Sequence, residues 1–161
     1  MSKRVISWLL KLVVVFVLLV FAAIGAWLVP SYLAWNLRYA PEIAPVIQQS
    51  IIYINLSFVP VYVCLYLAWR VFGTVAQDET FSRKNAGRFQ TAMWMALLDV
   101  VMIIAFMTWA YVKHMTLVSP AMILCAVCLV LVGLSAAIVC FALSKLVAQA
   151  AALKEESEWT I

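Results

Sequence analysis

Four long apolar runs constrain the fold of this chain more than any other feature of its sequence. They cover about residues 5–29, 51–72, 89–112 and 121–146. A helix needs about 20 mainly apolar residues to cross a bilayer, and each run reaches that length. The runs are continuous rather than alternating, which excludes the strands of a membrane barrel. The sequence therefore predicts an all-α, polytopic membrane protein, with a bundle of four transmembrane helices in a single membrane domain, residues 1–161.

The composition agrees with a chain that is surrounded by lipid. Hydrophobic residues make up 68% of the 161 residues and charged residues 11%, against roughly one half and one quarter in soluble domains. A chain this short has too little interior to bury so many apolar side chains, so the lipid bilayer must be their main partner. The first run is also longer than the roughly 7–15 apolar residues of a signal peptide, which predicts a retained helix.

The positions of the basic residues predict the orientation of the chain. Most of them lie near the two ends or between the second and third runs: Lys3, Arg4, Lys11, Arg70, Arg83, Lys84, Arg88, Lys145 and Lys154. By the positive-inside rule, both termini, the loop 73–88 and the tail 147–161 are expected to be cytoplasmic (N-in/C-in). Arg38 and Lys113 then lie outside. This distribution explains the basic excess without direct binding of nucleic acid.

The segment 30–50 is the largest one that this orientation places outside. Pro30, Pro41 and Pro45 are expected to interrupt any long helix within it. We expect a loop that lies on the membrane surface, and a cap that binds a ligand is the alternative.

Asp99 is the one acidic residue that lies well inside a predicted span. Burying a carboxylate in a bilayer is costly, so such a residue is usually paired, protonated or functional. Depth matching of the antiparallel second and third helices places it near Tyr62 or Tyr66, whose phenols can donate a hydrogen bond. Asn55 is a further polar residue of the second helix, nearer the outer surface. We expect an intramembrane polar anchor, and a proton or cation site is the alternative.

Small residues spaced four apart predict close contacts between helices. Gly133 and Ala137 form such a face in the fourth run, and Ala22 and Ala26 form one in the first. Packing within the chain and association into a homo-oligomer both account for these faces.

No set of residues in the sequence suits catalysis, cofactor binding or metal binding. His114 is the single histidine, and Cys125 and Cys128 form a CxxC motif without a second pair or a nearby histidine. A structural zinc site needs four such ligands, and a catalytic site needs a nucleophile or base with its partners. We therefore expect no cofactor, no metal and no enzymatic activity.

The loop before the third helix is a candidate surface for contact with lipid or a cytoplasmic partner. Ser82 is a suitable N-cap for the helix that follows, and the basic side chains suit anionic headgroups. The surface comprises Phe81, Ser82, Arg83, Lys84, Asn85 and Arg88.

The C-terminal tail is the second candidate contact region on this side. It comprises Glu155, Glu156, Glu158, Trp159, Thr160 and Ile161. An apolar end of this kind either packs under the bundle or is bound by a partner through the terminal carboxylate, and both alternatives stay open.

Two of these stretches resemble a family of small bacterial four-helix membrane proteins, domain of unknown function 2975. Residues 80–86 (Thr-Phe-Ser-Arg-Lys-Asn-Ala) resemble the family's Pro-Phe-Ser/Thr-x-x-Asn loop, although no Asn-Pro precedes Phe81. Residues 153–161 resemble its acidic close in Asn-Asp-Leu-Thr-Ile, with Ser-Glu-Trp in place of Asn-Asp-Leu. The resemblance covers nearly the whole chain and implies the bacterial cytoplasmic membrane.

The resemblance also implies a function. Members of that family are often encoded beside a small Cro-type helix-turn-helix protein, which implies a membrane component that controls or tethers a transcription regulator. We therefore expect a non-enzymatic regulatory membrane protein with a cytoplasmic DNA-binding protein as its partner. The alternatives are an immunity protein against a membrane-active peptide and a small-solute transporter that works as an oligomer.

Overall fold

The computed structural model of the chain describes residues 3–39, 44–75, 80–113, 118 and 120–159. Its helices are α1 (Lys3–Ala23), α2 (Val29–Tyr39), α3 (Ala44–Val75), α4 (Arg83–Lys113) and α5 (Pro120–Trp159), with a π-helical turn at Ile24–Leu28. Four stretches are long and apolar enough to cross a membrane: Arg4–Ser31, Gln49–Val75, Arg83–Lys113 and Pro120–Ser157. These stretches confirm the predicted all-α fold with four spanning helices.

The spanning helices pack in the order in which they occur along the chain. Helix α1 contacts α3, α3 contacts α4, and α4 contacts α5, which is the most extensive of the three contacts. Within the described ranges, α1 has no comparable contact with α5. The arrangement is therefore open along the side between α1 and α5.

The close approach of α4 and α5 depends on small residues. A Cβ atom built on Gly133 would lie 2.6 Å from Cγ2 of Val100, which is closer than two carbon atoms can pack. Ala137, one turn further along α5, is only 4% exposed. This face of α5 therefore packs against α4 within the chain.

The segment 30–50 differs from the expected proline-interrupted loop. Helix α2 continues through Pro30 to Tyr39, and Pro45 lies in the first turn of α3, where its missing N–H breaks no helical hydrogen bond. The backbone accommodates Pro30 by widening into the π-helical turn before it, in which the N–H of Val29 donates to the carbonyl of Ile24. Pro41 lies outside the described residues.

Helix α5 is much longer than a membrane crossing requires. Its 40 residues span about 60 Å at 1.5 Å per residue, against a hydrocarbon thickness of roughly 30 Å. The predicted tail 147–161 belongs to this helix as far as Trp159. Since about 30 Å of apolar helix suffices to cross the bilayer, we expect the charged C-terminal turns to extend beyond it.

We predict that Gly133→Ala destabilises the protein, because the added methyl group overpacks the contact with Val100. Overpacking costs about 1–3 kcal/mol, partly offset by the higher helix propensity of alanine. Thermal unfolding in detergent micelles measures the change.

Gly87 provides the matched control, because no atom lies within 4 Å of a Cβ built there. Gly87→Ala should therefore raise the unfolding temperature. The double variant Gly133→Ala, Val100→Ala should lose less stability than the sum of the losses measured for the two single variants. Equal behaviour of Gly87→Ala and Gly133→Ala would contradict this packing.

Candidate functional site

One end of the helix arrangement carries most of the polar contacts between helices. The Ser7 hydroxyl donates to the carbonyl of Phe72 at 2.7 Å, which joins α1 to α3. The Ser144 hydroxyl donates to the carbonyl of Ala86 at 2.9 Å, which joins α5 to α4. These bonds bring together the start of α1, the end of α3, the start of α4 and the C-terminal part of α5. We call this the basic end, because most of the lysines and arginines lie there.

Asn85 is the centre of the polar network at the basic end. Its side chain is 0% exposed. The amide nitrogen donates to the Thr74 hydroxyl at 2.7 Å and to the carbonyl of Thr80 at 2.9 Å. The amide oxygen accepts a hydrogen bond from the Arg88 guanidinium at 2.7 Å. One side chain therefore links the end of α3 and Thr80 to the first turns of α4.

The first turn of α4 completes this network. The N–H of Asn85 donates to the Ser82 hydroxyl at 3.4 Å, which confirms the predicted N-cap. The Arg88 guanidinium also donates to the carbonyl of Arg70 at 3.2 Å, near the end of α3. Asn85 was predicted as a contact residue for lipid or a partner. Its burial shows instead that it positions the loop and touches neither.

A groove of about 360 Å³ lies between this loop and the C-terminal part of α5. It is lined by Phe81, Ser82, Arg83, Lys84, Ala151, Lys154 and Glu155. The Arg83 guanidinium forms an ion pair with the Glu155 carboxylate at 2.8 Å across it. The Phe81 ring is 59% exposed although it is apolar. Two regions that the sequence predicted separately, the loop and the tail, thus form one surface.

The remaining tail residues are only partly described. Glu156 is exposed on α5. Glu158 and Trp159 belong to the last turn of α5, and their side chains lie outside the described part of the structure. Thr160 and Ile161 also lie outside the described residues, so both predictions for the apolar end remain untested.

A second polar feature lies deep within the spans, in a cleft of about 320 Å³ that all four spanning helices line. The Asp99 carboxylate belongs to this cleft, and its Oδ1 atom is buried without a hydrogen-bond partner among the described residues. The predicted hydrogen bond from Tyr62 or Tyr66 is therefore not formed. Tyr66 instead accepts a hydrogen bond from Arg70 at 3.2 Å. Asn55 is exposed and donates to the carbonyl of Ile51 in its own helix.

The register of α3 against α4 explains this correction. Helix α3 ends at Val75, three residues beyond the predicted span 51–72. Helix α4 begins at Arg83, six residues before the predicted span 89–112. This unequal extension shifts Asp99 along α3, so that it lies in the cleft with Ser57 and Phe58. Tyr62 is five residues beyond Ser57 along α3, so it lies about 7.5 Å nearer the basic end than Ser57 does.

A known family matches most of the chain, including Asn85, Asp99 and the groove beside Phe81. It is described as "Protein of unknown function (DUF2975)", and its sequence pattern matches residues 32–161. The chain belongs to this family. The chain is 22% identical to the uncharacterized membrane protein YoaS of Bacillus subtilis (strain 168). The alignment spans 159 residues, which are 99% of each chain. No solved structure matches the chain.

In this DUF2975 member, the sequence predicted the location of the loop surface but missed the residues that hold it. Thr74, Ser7 and Ser144 each make a hydrogen bond between elements, and none of them was singled out. The signal was available, since each is a hydroxyl residue near the end of an apolar run. A hydroxyl side chain in lipid needs an acceptor, and another helix often provides it.

We predict that Asn85→Ala lowers stability strongly, because it removes the N–H donor to the Thr80 carbonyl and one of the two acceptors of the Arg88 guanidinium. Each buried polar group left unsatisfied costs about 1–3 kcal/mol. Asn85→Asp should be intermediate, because it keeps the acceptor for Arg88 and loses both N–H donors. Thermal unfolding in micelles measures the order of stability of the parent chain, Asn85→Asp and Asn85→Ala.

Gln90→Ala is the control, since Gln90 is exposed on the same helix and should change stability little. An Asn85→Ala variant as stable as Gln90→Ala would contradict the central role of this amide.

Proposed function

We propose that this chain is a non-enzymatic regulatory membrane protein that binds a cytoplasmic protein in the groove at the basic end. The observation that carries this proposal is Phe81, an apolar ring 59% exposed in a groove lined by charged side chains. A solvent-exposed aromatic residue surrounded by polar groups is typical of a binding hot spot, because its burial by a partner removes apolar area from water.

The rigidity of the groove supports this proposal. The loop that carries Phe81 is fixed by the buried Asn85 amide, and the opposite wall is a continuous helix. A surface ordered before binding loses little conformational entropy when a partner docks. Membrane anchoring by itself requires no such ordering of a loop outside the spans.

The charges of the groove indicate the chemistry of the partner surface. Arg83 and Lys84 lie on the loop, while Lys154 and Glu155 lie on α5. The Arg83–Glu155 pair is largely exposed, with 72% and 51% of the side chains accessible, and such pairs contribute little to stability. Arg83 and Glu155 can therefore exchange this ion pair for contacts with another protein, and we expect a docking surface that carries both signs around an apolar pocket for Phe81.

The family resemblance favours a small helix-turn-helix regulator as the partner. Docking at the membrane would hold such a protein away from its operator, and release would restore DNA binding. This function needs the basic end to face the cytoplasm, which the positive-inside rule supports.

Site-specific photocrosslinking in living cells tests the proposal. We predict that p-benzoylphenylalanine in place of Phe81 crosslinks to a soluble DNA-binding protein. Arg83→Glu should weaken this crosslink at least several-fold without changing the amount of protein in the membrane, because it reverses one charge of the groove.

Tyr111 is the matched control position, because it is an aromatic residue of α4, 50% exposed, near the opposite end of the helix. The same crosslinker there should capture no soluble cytoplasmic protein. Equal labelling at both positions, or lipid adducts alone at position 81, would overturn the proposal and direct attention to peptide resistance and solute flux.

The N-in/C-in orientation has its own test. We expect a fluorescent protein fused after Ile161 to fluoresce and an alkaline phosphatase fused there to be inactive. Fusions near Lys113, at the opposite end of α4, should give the reverse pattern. An active phosphatase at the C-terminus would contradict the orientation and the cytoplasmic partner together.

A further inference from the structure

The cleft around Asp99 carries an inference that is independent of the groove at the basic end. It lies in the middle of the spans, between α1 and α3 on one side and α4 and α5 on the other. Its volume of about 320 Å³ falls at the lower end of the roughly 300–1,000 Å³ typical of small-ligand sites. Since α1 and α5 have no extensive contact among the described residues, the cleft is accessible from the lipid between these two helices.

The charge of the cleft is unbalanced. Asp99 is the only charged residue among those that line it, and its Oδ1 atom is buried without a partner among the described residues. The Ser57 hydroxyl also lines the cleft, but it donates to the carbonyl of Tyr53 in its own helix at 3.0 Å. A carboxylate in such surroundings interacts strongly with a cation that enters without its hydration shell.

The rest of the lining suits the body of an organic cation. Three phenylalanine rings line the cleft: Phe21, Phe58 and Phe106. Phe21 and Phe58 are held edge to face with their centroids 5.9 Å apart, and Phe106 is stacked on Trp109 at 6.0 Å. The faces of fixed aromatic rings attract ammonium groups that have lost their water. A metal ion would instead need several oxygen ligands, and one carboxylate does not provide them.

We propose that the cleft binds an amphipathic organic cation, with its ammonium group at Asp99 and its apolar body against the phenylalanine rings. The ligand partitions first into the bilayer and then enters between α1 and α5. The ion pair supplies recognition of charge, and the apolar lining supplies recognition of shape.

Two probes of the same shape separate charge from hydrophobicity. Benzyltrimethylammonium carries a cationic nitrogen, and neopentylbenzene has a neutral carbon at the same position. Equilibrium dialysis against the full chain in lipid nanodiscs, corrected with empty nanodiscs, measures the affinity for each. We expect the cation to bind at least about tenfold more tightly than the neutral probe.

Asp99→Asn keeps the shape of the side chain and removes its charge. It should weaken binding of the cation at least about tenfold, because it removes the electrostatic attraction between the two charges, and leave binding of the neutral probe unchanged. Glu155→Gln removes an equal charge at the basic end and should leave both affinities unchanged. Phe21→Leu should weaken binding of the cation several-fold more than that of the neutral probe, which tests the aromatic contribution in a variant that keeps the carboxylate.

Thiol labelling locates the bound probe. Cys125 lines the cleft, whereas Cys128, one turn away on α5, does not. The cation should slow the reaction of Cys125 with N-ethylmaleimide, as followed by mass spectrometry, and should leave the reaction of Cys128 unchanged. Three results would overturn the proposal. The first is equal affinity for both probes, and the second is an Asp99→Asn variant that binds the cation as tightly as the parent chain. The third is a tightly bound phospholipid in the cleft of both the parent chain and the Asp99→Asn variant.

Discussion

The hydrogen bonds of the Asn85 amide fix the geometry on which the basic end depends. Helices in a bilayer gain little from burying apolar surface against each other, because lipid is equally apolar. Polar contacts and close packing must therefore determine how the helices are arranged. Asn85 joins Thr74, Thr80 and Arg88, so one buried side chain links the end of α3 to the start of α4. The groove beside Phe81 has a defined shape because this amide is fully buried.

Two different kinds of contact hold the remaining helices in place. Gly133 lets α5 approach Val100 so closely that no other side chain fits, and Ser144 adds a hydrogen bond to the start of α4. Helix α1 is held mainly by its contact with α3, including the Ser7 hydroxyl and the packing of Phe21 on Phe58. Among the described residues α1 makes no extensive contact with α5, and together with the tight α4–α5 pair this leaves a cleft on one side of the spans.

The two polar sites differ in the way their charges are compensated. At the basic end, each group of the Asn85 amide is satisfied, and the exposed Arg83–Glu155 pair is solvated. In the cleft, Asp99 lies among mainly apolar residues, and its Oδ1 atom is buried without a partner among the described residues. Satisfied polar groups stabilise an arrangement, whereas an unsatisfied one in lipid favours a ligand that supplies the missing partner. The two sites therefore lead to separate proposals, one about a cytoplasmic protein and one about a small cation.

The sequence by itself determined the four spans, the all-α fold and the Ser82 cap, because these depend on local composition and spacing. It identified Asp99 as unusual but not its neighbours, since the register between α3 and α4 depends on side-chain packing and on unequal helix ends. Only the tertiary structure showed that Asn85 is buried, that Arg83 meets Glu155, and that Phe21 and Cys125 border the same cleft. These contacts join residues that are far apart in the chain, and a local sequence pattern does not predict which distant residues meet in the folded protein.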